Sequence, residues 1–408
     1  MSKKNWLVGG AVLLTTIAAS DVARAQVVSF GDRPSLHLGT DLRVDVTALV
    51  QGDALDASPA PGADDGFDLA RRRMGVKGAV GTHVEFEVER EIGAGAPWRD
   101  VFVNVRPVRA IQVRAGHFKM PFSLDQLTSA SELDFIYRSR AADMLAPGRS
   151  TGVSLHGRLA GRMLGYDAGV FRRDGESARF GTNPGAGETV AARLTVRPLA
   201  RAQRGNPLRD LELGVNATEG SVPEGRYSLR GRLASRSTFF APVFVKGRRS
   251  RLGADVDWTP GPFGIRAELI RVEDERRDQG LIGDTVPPLG ADGWYLTATW
   301  AVAGRRAMKQ AENSRVPSAF KGMELAARVE RLAFGSFSNL EPAWRNPRAA
   351  NLAQIDEQAW TFGVNWTLNR WSRVQVNAIR EQVIDSARGA SAQPAASWTR
   401  VCRLQFAM

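Results

Sequence analysis

The sequence predicts an all-β chain, a transmembrane antiparallel β-barrel of sixteen strands. Three observations point there. Charged and apolar residues alternate with a period of two along most of the chain, which sorts them onto opposite faces of a strand. Segments of this kind recur at lengths of about ten residues, enough to cross a bilayer as tilted strands. The connections between them are alternately tight and long, as in barrels that keep loops on one side and turns on the other. Composition agrees with this. The 408 residues carry a formal net charge of +12, 43% hydrophobic residues, one Cys and four His, with a mean hydropathy of −0.24. Transmembrane helices would need runs of about 20 apolar residues. A disulfide framework or a structural zinc site needs more than one Cys.

The N-terminus reads as a targeting segment. Lys3 and Lys4 precede an apolar run from Trp6 to Ala19, and Ala23-Arg24-Ala25 offers small residues at the spacing that signal peptidase reads. Residues 1–25 are expected to be a cleaved signal peptide, leaving residues 26–408 as one exported barrel domain that no disulfide holds together.

The strands follow in order. The first is read from Ser35 to Val50, where Leu36, Leu38, Leu42, Val44, Val46, Ala48 and Val50 share one face. Val84, Phe86 and Val88 alternate with Glu85, Glu87 and Glu89. Leu252, Ala254, Val256 and Trp258 alternate with Arg251, Asp255 and Asp257, and Leu325, Ala327 and Val329 with Glu324, Arg328 and Glu330. Strand starts fall near 35, 67, 83, 100, 110, 151, 163, 188, 209, 250, 264, 294, 322, 359, 371 and 397. Tight turns are expected at Gly81-Thr82, Gly161-Arg162, Pro260-Gly261 and Asn369-Arg370. Long connections are expected near 52–66, 119–150, 173–187, 219–249, 273–293, 333–358 and 382–396. The segment 227–236, with Tyr227, Leu229 and Leu233 set against Arg230 and Arg232, would make eighteen strands if it added a hairpin. A face of Glu and Arg needs water while the other face suits lipid, and in a bilayer such strands must close. Trp258, Trp294, Trp300, Trp360, Trp366, Trp371 and Trp398 fall near expected strand ends, as interfacial girdles do. The last strand, Trp398 to Met408, turns Cys402 toward lipid.

Strand register also sorts the charges. Arg71, Arg73 and Lys77 lie opposite in phase to Met74 and Val76 and should face the lumen. The same reasoning turns Arg114, Arg193, Arg197, Arg251, Arg266 and Arg328 inward, because a lipid-facing Arg near mid-bilayer costs about 2–4 kcal/mol. A guanidinium stays protonated and its fork matches oxyanions, so a lumenal row of them forms a path for anions, focused by low-dielectric walls. Glu85, Glu87, Glu89, Asp255, Asp257, Glu268 and Glu324 share that lumen. The basic segment 219–249 (Arg226, Arg230, Arg232, Arg236, Lys246, Arg248 and Arg249) would, as an outer loop, gather anions at the mouth or bind lipopolysaccharide. Export argues against a nucleic-acid partner. His37, His83, His117 and His156 are scattered, and no H-E-x-x-H, G-x-S-x-G or phosphate-binding loop is present. No enzyme activity, metal or cofactor is expected.

The stretch Gly116-His117-Phe118-Lys119-Met120-Pro121-Phe122-Ser123, running on through Tyr137-Arg138-Ser139 and Ala146-Pro147-Gly148-Arg149, most clearly resembles the phosphate-selective porin O and P family of Gram-negative outer membranes. It is similar to the family's third loop, which implies a loop folded into the barrel to narrow the pore. Ala70-Arg71-Arg72-Arg73-Met74-Gly75 resembles the family's second strand, and Val364-Asn365-Trp366-Thr367-Leu368-Asn369-Arg370 its penultimate turn. The resemblance implies a homotrimeric porin that passes small hydrophilic solutes, with anions of the phosphate class preferred. Lys119, Arg138, Arg140 and Arg149 would belong to the loop-three constriction, and Arg71, Arg73, Lys77 and Arg114 to the adjacent wall. The other readings are a general non-selective porin and a plugged structural or adhesive barrel. Two features depart from the family pattern. The chain beyond residue 25 holds only five lysines, Lys77, Lys119, Lys246, Lys309 and Lys321. It ends Phe406-Ala407-Met408 instead of on an aromatic residue, which makes Phe406 the candidate for recognition by the barrel-insertion machinery.

Overall fold

The computed structural model describes residues 26–30, 33–39, 41–58, 66–93, 97–175, 187–203, 205–303, 322–336, 342–388 and 395–408. The expected signal peptide, Lys309 and Lys321 lie outside them. A hairpin of β1 (Gln26–Phe30) and β2 (Pro34–Leu38) comes first. The wall then runs through β3 (Leu42–Ser58), β4 (Gly66–Val80), β5 (Val84–Glu91), β6 (Trp98–Val108), β7 (Ile111–Lys119), β8 (Arg149–Leu159), β9 (Leu164–Phe171), β10 (Thr189–Val196) and β11 (Glu212–Gly225). After a separate small hairpin, β12 (Gly231–Arg232) and β13 (Thr238–Phe240), it continues through β14 (Val245–Trp258), β15 (Phe263–Arg276), β16 (Val286–Ala301) and β17 (Met323–Gly335). Three more strands finish it: β18 (Ile355–Thr367), β19 (Ser372–Asp385) and β20 (Ala395–Ala407). Neighbours are antiparallel, and β20 pairs with β3 from Trp398↔Ser58 to Ala407↔Leu49, closing sixteen strands into a barrel. Closure removes the open backbone edge that hydrocarbon could not satisfy.

Strand starts agree with the sequence reading to within three residues except at β3, β14, β16 and β18. The stretch from Ser35 to Val50 is two strands, because the chain turns back at Gly39 (φ +64°). Leu38 and Leu42 are cross-strand partners, so the alternation passes through the turn unchanged and hides it. β14, β16 and β18 begin earlier than their apolar outer residues do. Above the membrane surface the outer face needs no apolar side chains, and Arg248, Arg271 and Glu273 occupy it there. The segment 227–236 stays out of the wall, since β12 and β13 pair only with each other, so the count remains sixteen. β2 covers the end of β3 that β20 leaves free. Beyond β20, Met408 still exchanges hydrogen bonds with Ala48 (3.0 and 3.2 Å), so the ladder reaches the final residue.

The two faces sort as expected across the bilayer. Met74, Val153, Leu252 and Phe362 are exposed on the outside, while Arg73, Arg193 and Arg251 are buried within. Trp294, Trp300, Trp360, Trp366, Trp371 and Trp398 are exposed. The wall is uneven in height, with eight residues in β5, β9 and β10 against fourteen to sixteen in β14, β15 and β16.

Residues 120–148, between β7 and β8, leave the wall and cross the lumen, carrying the short helices α1 (Leu124–Leu127) and α2 (Arg140–Leu145). Residues 226–244, read from sequence as part of an outer loop, also fold inward. Phe122, Ala141 and Leu145 of the first segment pack with Leu229, Phe240 and Val243 of the second. Both lie on inward residues of the tall wall, namely Ile270, Val272, Leu289, Leu332 and Phe334. At this height the faces exchange character, because water lies outside and packed loops lie inside. The tall-wall half of the barrel is therefore filled, and the open space lies against β4–β9.

Candidate functional site

The constricting loop is held to the tall wall by inward polar side chains that reach its backbone. Arg403 grips Asp53 with two nitrogens (2.6 and 2.7 Å) and donates a third bond to the Ile136 carbonyl (2.9 Å). Arg328 donates to the Tyr137 and Arg138 carbonyls, Asn365 to that of Asp134, and Arg373 and Gln375 to that of Leu133. The Glu268 carboxylate accepts from Ser123 Oγ and from the amides of Leu124 and Asp125, closing off the start of α1. Ser123 itself sits at φ +68°, a left-handed conformation held in place by this carboxylate and by the Gln126 amide bonded to its hydroxyl. Arg140 is buried among Glu381 (3.2 Å), Glu357 (4.0 Å) and Glu330, whose carboxylate accepts its backbone N–H at 2.6 Å. Burial works against the charged form of Arg140, but the three glutamates outweigh it and raise its pKa above the ordinary guanidinium value.

All eight cations singled out from the sequence line a single cavity of about 800 Å³ on the low-wall side. Their states differ. Arg149 makes a forked pair with Asp100 (2.6 Å at the shortest), Lys77 pairs with Glu87 (2.9 Å), and Arg73 pairs with Glu91 (2.8 Å). Arg140 is committed to the loop anchor. Arg138 donates to the Asp125 and Thr128 carbonyls, with the Asp125 carboxylate at 3.9 Å, and burial lowers its pKa. The other three have no carboxylate partner among the described residues. Lys119 Nζ donates to the carbonyls of Leu127 (3.1 Å) and Thr128 (2.9 Å). Arg71 donates to Gln51 Oε1 (2.5 Å). The Arg114 guanidinium rests on the rings of Phe102 (4.9 Å) and Phe118 (5.3 Å).

Local backbone explains why these positions hold. Gly116 has φ +138°, and a Cβ there would lie 2.2 Å from the Val101 carbonyl oxygen, so only glycine fits beside β6 just before the chain leaves the wall. Phe118 and Lys119 then both end up inside, which alternation alone would not allow. Sequence reading missed several lining residues. Arg232 and Arg236 enter from the inward-folded arm, and Arg33, Arg99, Asp100 and Asp167 complete the lining. Asp167 carried a signal, being opposite in phase to the exposed Val170 on β9. The arm carried none, since a basic segment reads equally well as a solvated loop. A second cavity of about 940 Å³ lies nearer the turns, lined by Arg109, His156, Arg158, Arg162, Arg193 and Glu212, and Asp167 borders both. Among the described residues, no group of His, Cys, Asp or Glu is placed to hold a metal ion.

No curated protein matches this sequence. Solved structures match in fold. OmpT of Vibrio cholerae, expressed in the outer membrane, aligns with a TM-score of 0.55 at 12% identity, covering 90% of this chain and 98% of that one. The outer membrane channel DcaP of Acinetobacter baumannii aligns at 0.57 and 10%, covering 90% and 98%. OmpF of Salmonella typhi, solved with daunomycin, aligns at 0.51 and 8%, covering 91% and 100%. Residues 44–407 match the sequence profile of phosphate-selective porin O and P, and the chain belongs to that family, a multi-pass β-barrel of the Gram-negative outer membrane.

Proposed function

We propose that this outer-membrane channel prefers anions, and oxyanions of the phosphate class in particular. The channel class rests on the family and the barrel. The anion preference rests on one observation: the low-wall cavity is lined by twelve basic and six acidic side chains. Lys119, Arg71 and Arg114 line it without a carboxylate partner among the described residues. An entering oxyanion would exchange part of its hydration shell for these donors, with the field focused by the low-dielectric wall. The solute then diffuses down its gradient, and no covalent step or cofactor is needed.

The wall's outer surface supports a homotrimer. The exposed tryptophans cited above belong to the β16–β20 side, where amphipathic rings suit a lipid interface. The outer face of β6–β10 instead presents Val103, Val113, Val153, Leu155, Val170 and Val190. That aliphatic surface suits packing between copies, and OmpT of Vibrio cholerae has been solved in a trimer form. Lipid and lipopolysaccharide would then meet the tall wall. Phe406 lies outward beside Trp371, with ring centroids 6.5 Å apart, an exposed aromatic position that supports its recognition by the insertion machinery. Residues 1–25 serve as the signal peptide.

The fixed pairs Lys77–Glu87, Arg73–Glu91 and Arg149–Asp100 favour the second reading, a general porin with little net preference. Planar-bilayer recording separates the two. Low concentrations of phosphate should block chloride current through the purified protein. An open channel that phosphate leaves untouched supports the general porin, and a protein that conducts no ions supports a plugged barrel.

A further inference from the structure

We propose a second solute site at the waist between the two cavities, where Asp167 makes the pore discriminate among anions by the proton they carry. The inference rests on the anion-channel reading and goes beyond it. Asp167 lines both cavities, so a solute moving from one to the other passes its carboxylate. On the β7, β8 and β9 faces beside it stand Arg114, Ser154 and His156, with Ser154 paired to Arg114 and His156 to Asp167 in the strand register.

Among the described residues, the Arg114 Nε, the Ser154 hydroxyl and Asp167 Oδ1 have no fixed hydrogen-bond partner, although Ser154 stands close enough to Asp167 to act on its carboxylate. Arg114 makes no ion pair among the described residues and instead lies against Phe102 and Phe118. The next cation on the same row, Arg193, is turned to Asp255, which both its terminal nitrogens bind (2.6 and 2.7 Å). His156 is oriented by Asn104 at 2.8 Å. A cation and a carboxylate thus border the same passage, near enough for the Arg114 charge to act on Asp167 but without an ion pair between them.

A carboxylate outside any ion pair in an anion path repels an anion that cannot donate to it and accepts one that can. Arg114 would hold the oxyanion end while Asp167 accepts its O–H. The ligand class is therefore oxyanions that carry a proton or hydroxyl, such as monohydrogen phosphate, phosphate monoesters and hydroxycarboxylates. An ammonium-bearing zwitterion also offers a donor. The surplus of basic side chains in both cavities opposes it.

Inorganic phosphate, arsenate and sulfate are all doubly charged at mildly alkaline pH, and only the first two keep a proton. In planar bilayers, phosphate and arsenate should block chloride current about tenfold more strongly than sulfate, the worth of one charge-assisted hydrogen bond. Asp167→Asn should bring the phosphate-to-sulfate ratio close to unity, because the amide can donate to sulfate. Lys119→Gln should weaken both blocks in proportion and leave the ratio alone. Titration calorimetry of the detergent-solubilised wild-type protein with each anion gives the same comparison without a variant or a current. Equal affinity for sulfate and phosphate, or a ratio that survives Asp167→Asn, overturns the waist site. A glycine zwitterion blocking better than phosphate also overturns it. Failure of the anion reading itself would show differently, as a cation-selective reversal potential.

Discussion

The two halves of the barrel treat the same residue type in opposite ways. On the tall wall the inward arginines are bound up. Arg403, Arg251 and Arg276 are each 1% exposed and serve as multidentate clamps on carboxylates or loop carbonyls. On the low wall Arg71, Arg114 and Lys119 keep nitrogens on an open cavity. A guanidinium has five N–H donors, so one side chain can bind a carboxylate and a carbonyl at once. The tall wall uses that capacity to fix the constricting loop, while the low wall leaves it for solute. Inward orientation is therefore a necessary condition for selectivity and not a sufficient one.

The largest expected effect comes from breaking the anchor. Arg140→Met leaves Glu357 and Glu381 buried without their cation, which should destabilise the barrel by about 3–5 kcal/mol. Urea unfolding in vesicles checks the loss, and single-channel traces should become noisy as the loop loosens. At the rim, Asp174 is gripped by Arg249 and Arg251. Burial raises its pKa, and the two arginines more than reverse this, holding the carboxyl below its usual range. Its contribution is complete at neutral pH and is lost only as pH falls through that depressed value. Asp174→Asn should therefore lower unfolding resistance at neutral pH and matter little in strong acid.

On the low wall the effects are smaller and fall on transport. Lys119→Gln or Arg71→Gln should weaken phosphate block of chloride current about tenfold, the loss of one charged hydrogen bond. Val153→Arg tests the aliphatic outer face. A charge there should reduce the trimer fraction seen by native mass spectrometry, whereas an unchanged trimer would place the interface elsewhere. The smallest effect belongs to a matched pair: Arg149→Gln with Asp100→Asn keeps net charge constant and should shift the reversal potential little.

The barrel could be read from sequence because period-two alternation reports directly on a wall with lipid outside and water inside. That is why the phase of Arg71, Arg73 and Lys77 against Met74 placed them correctly. The rule fails where its physical cause is missing. Above the membrane, Ile270 and Phe334 face inward and Arg271 outward, and at Gly39 a turn preserves phase while reversing direction. The site was readable as a set of inward cations. Which of them are free was not, because Asp100 and Glu381, the partners of Arg149 and Arg140, come from strands far away in sequence. The arm bearing Arg232 was hidden for a similar reason, since only its apolar contacts with the loop and the tall wall turn it inward.

Reversal potentials in a KCl gradient test the central claim most directly, through two variants measured against wild type. Removing two low-wall charges (Arg71→Gln with Lys119→Gln) should move an anion-selective potential strongly toward zero. Neutralising a tall-wall pair (Arg249→Gln with Asp274→Asn) should leave it almost where it was. A wild-type channel that prefers cations, or equal shifts from the two variants, would contradict the division of labour between the walls.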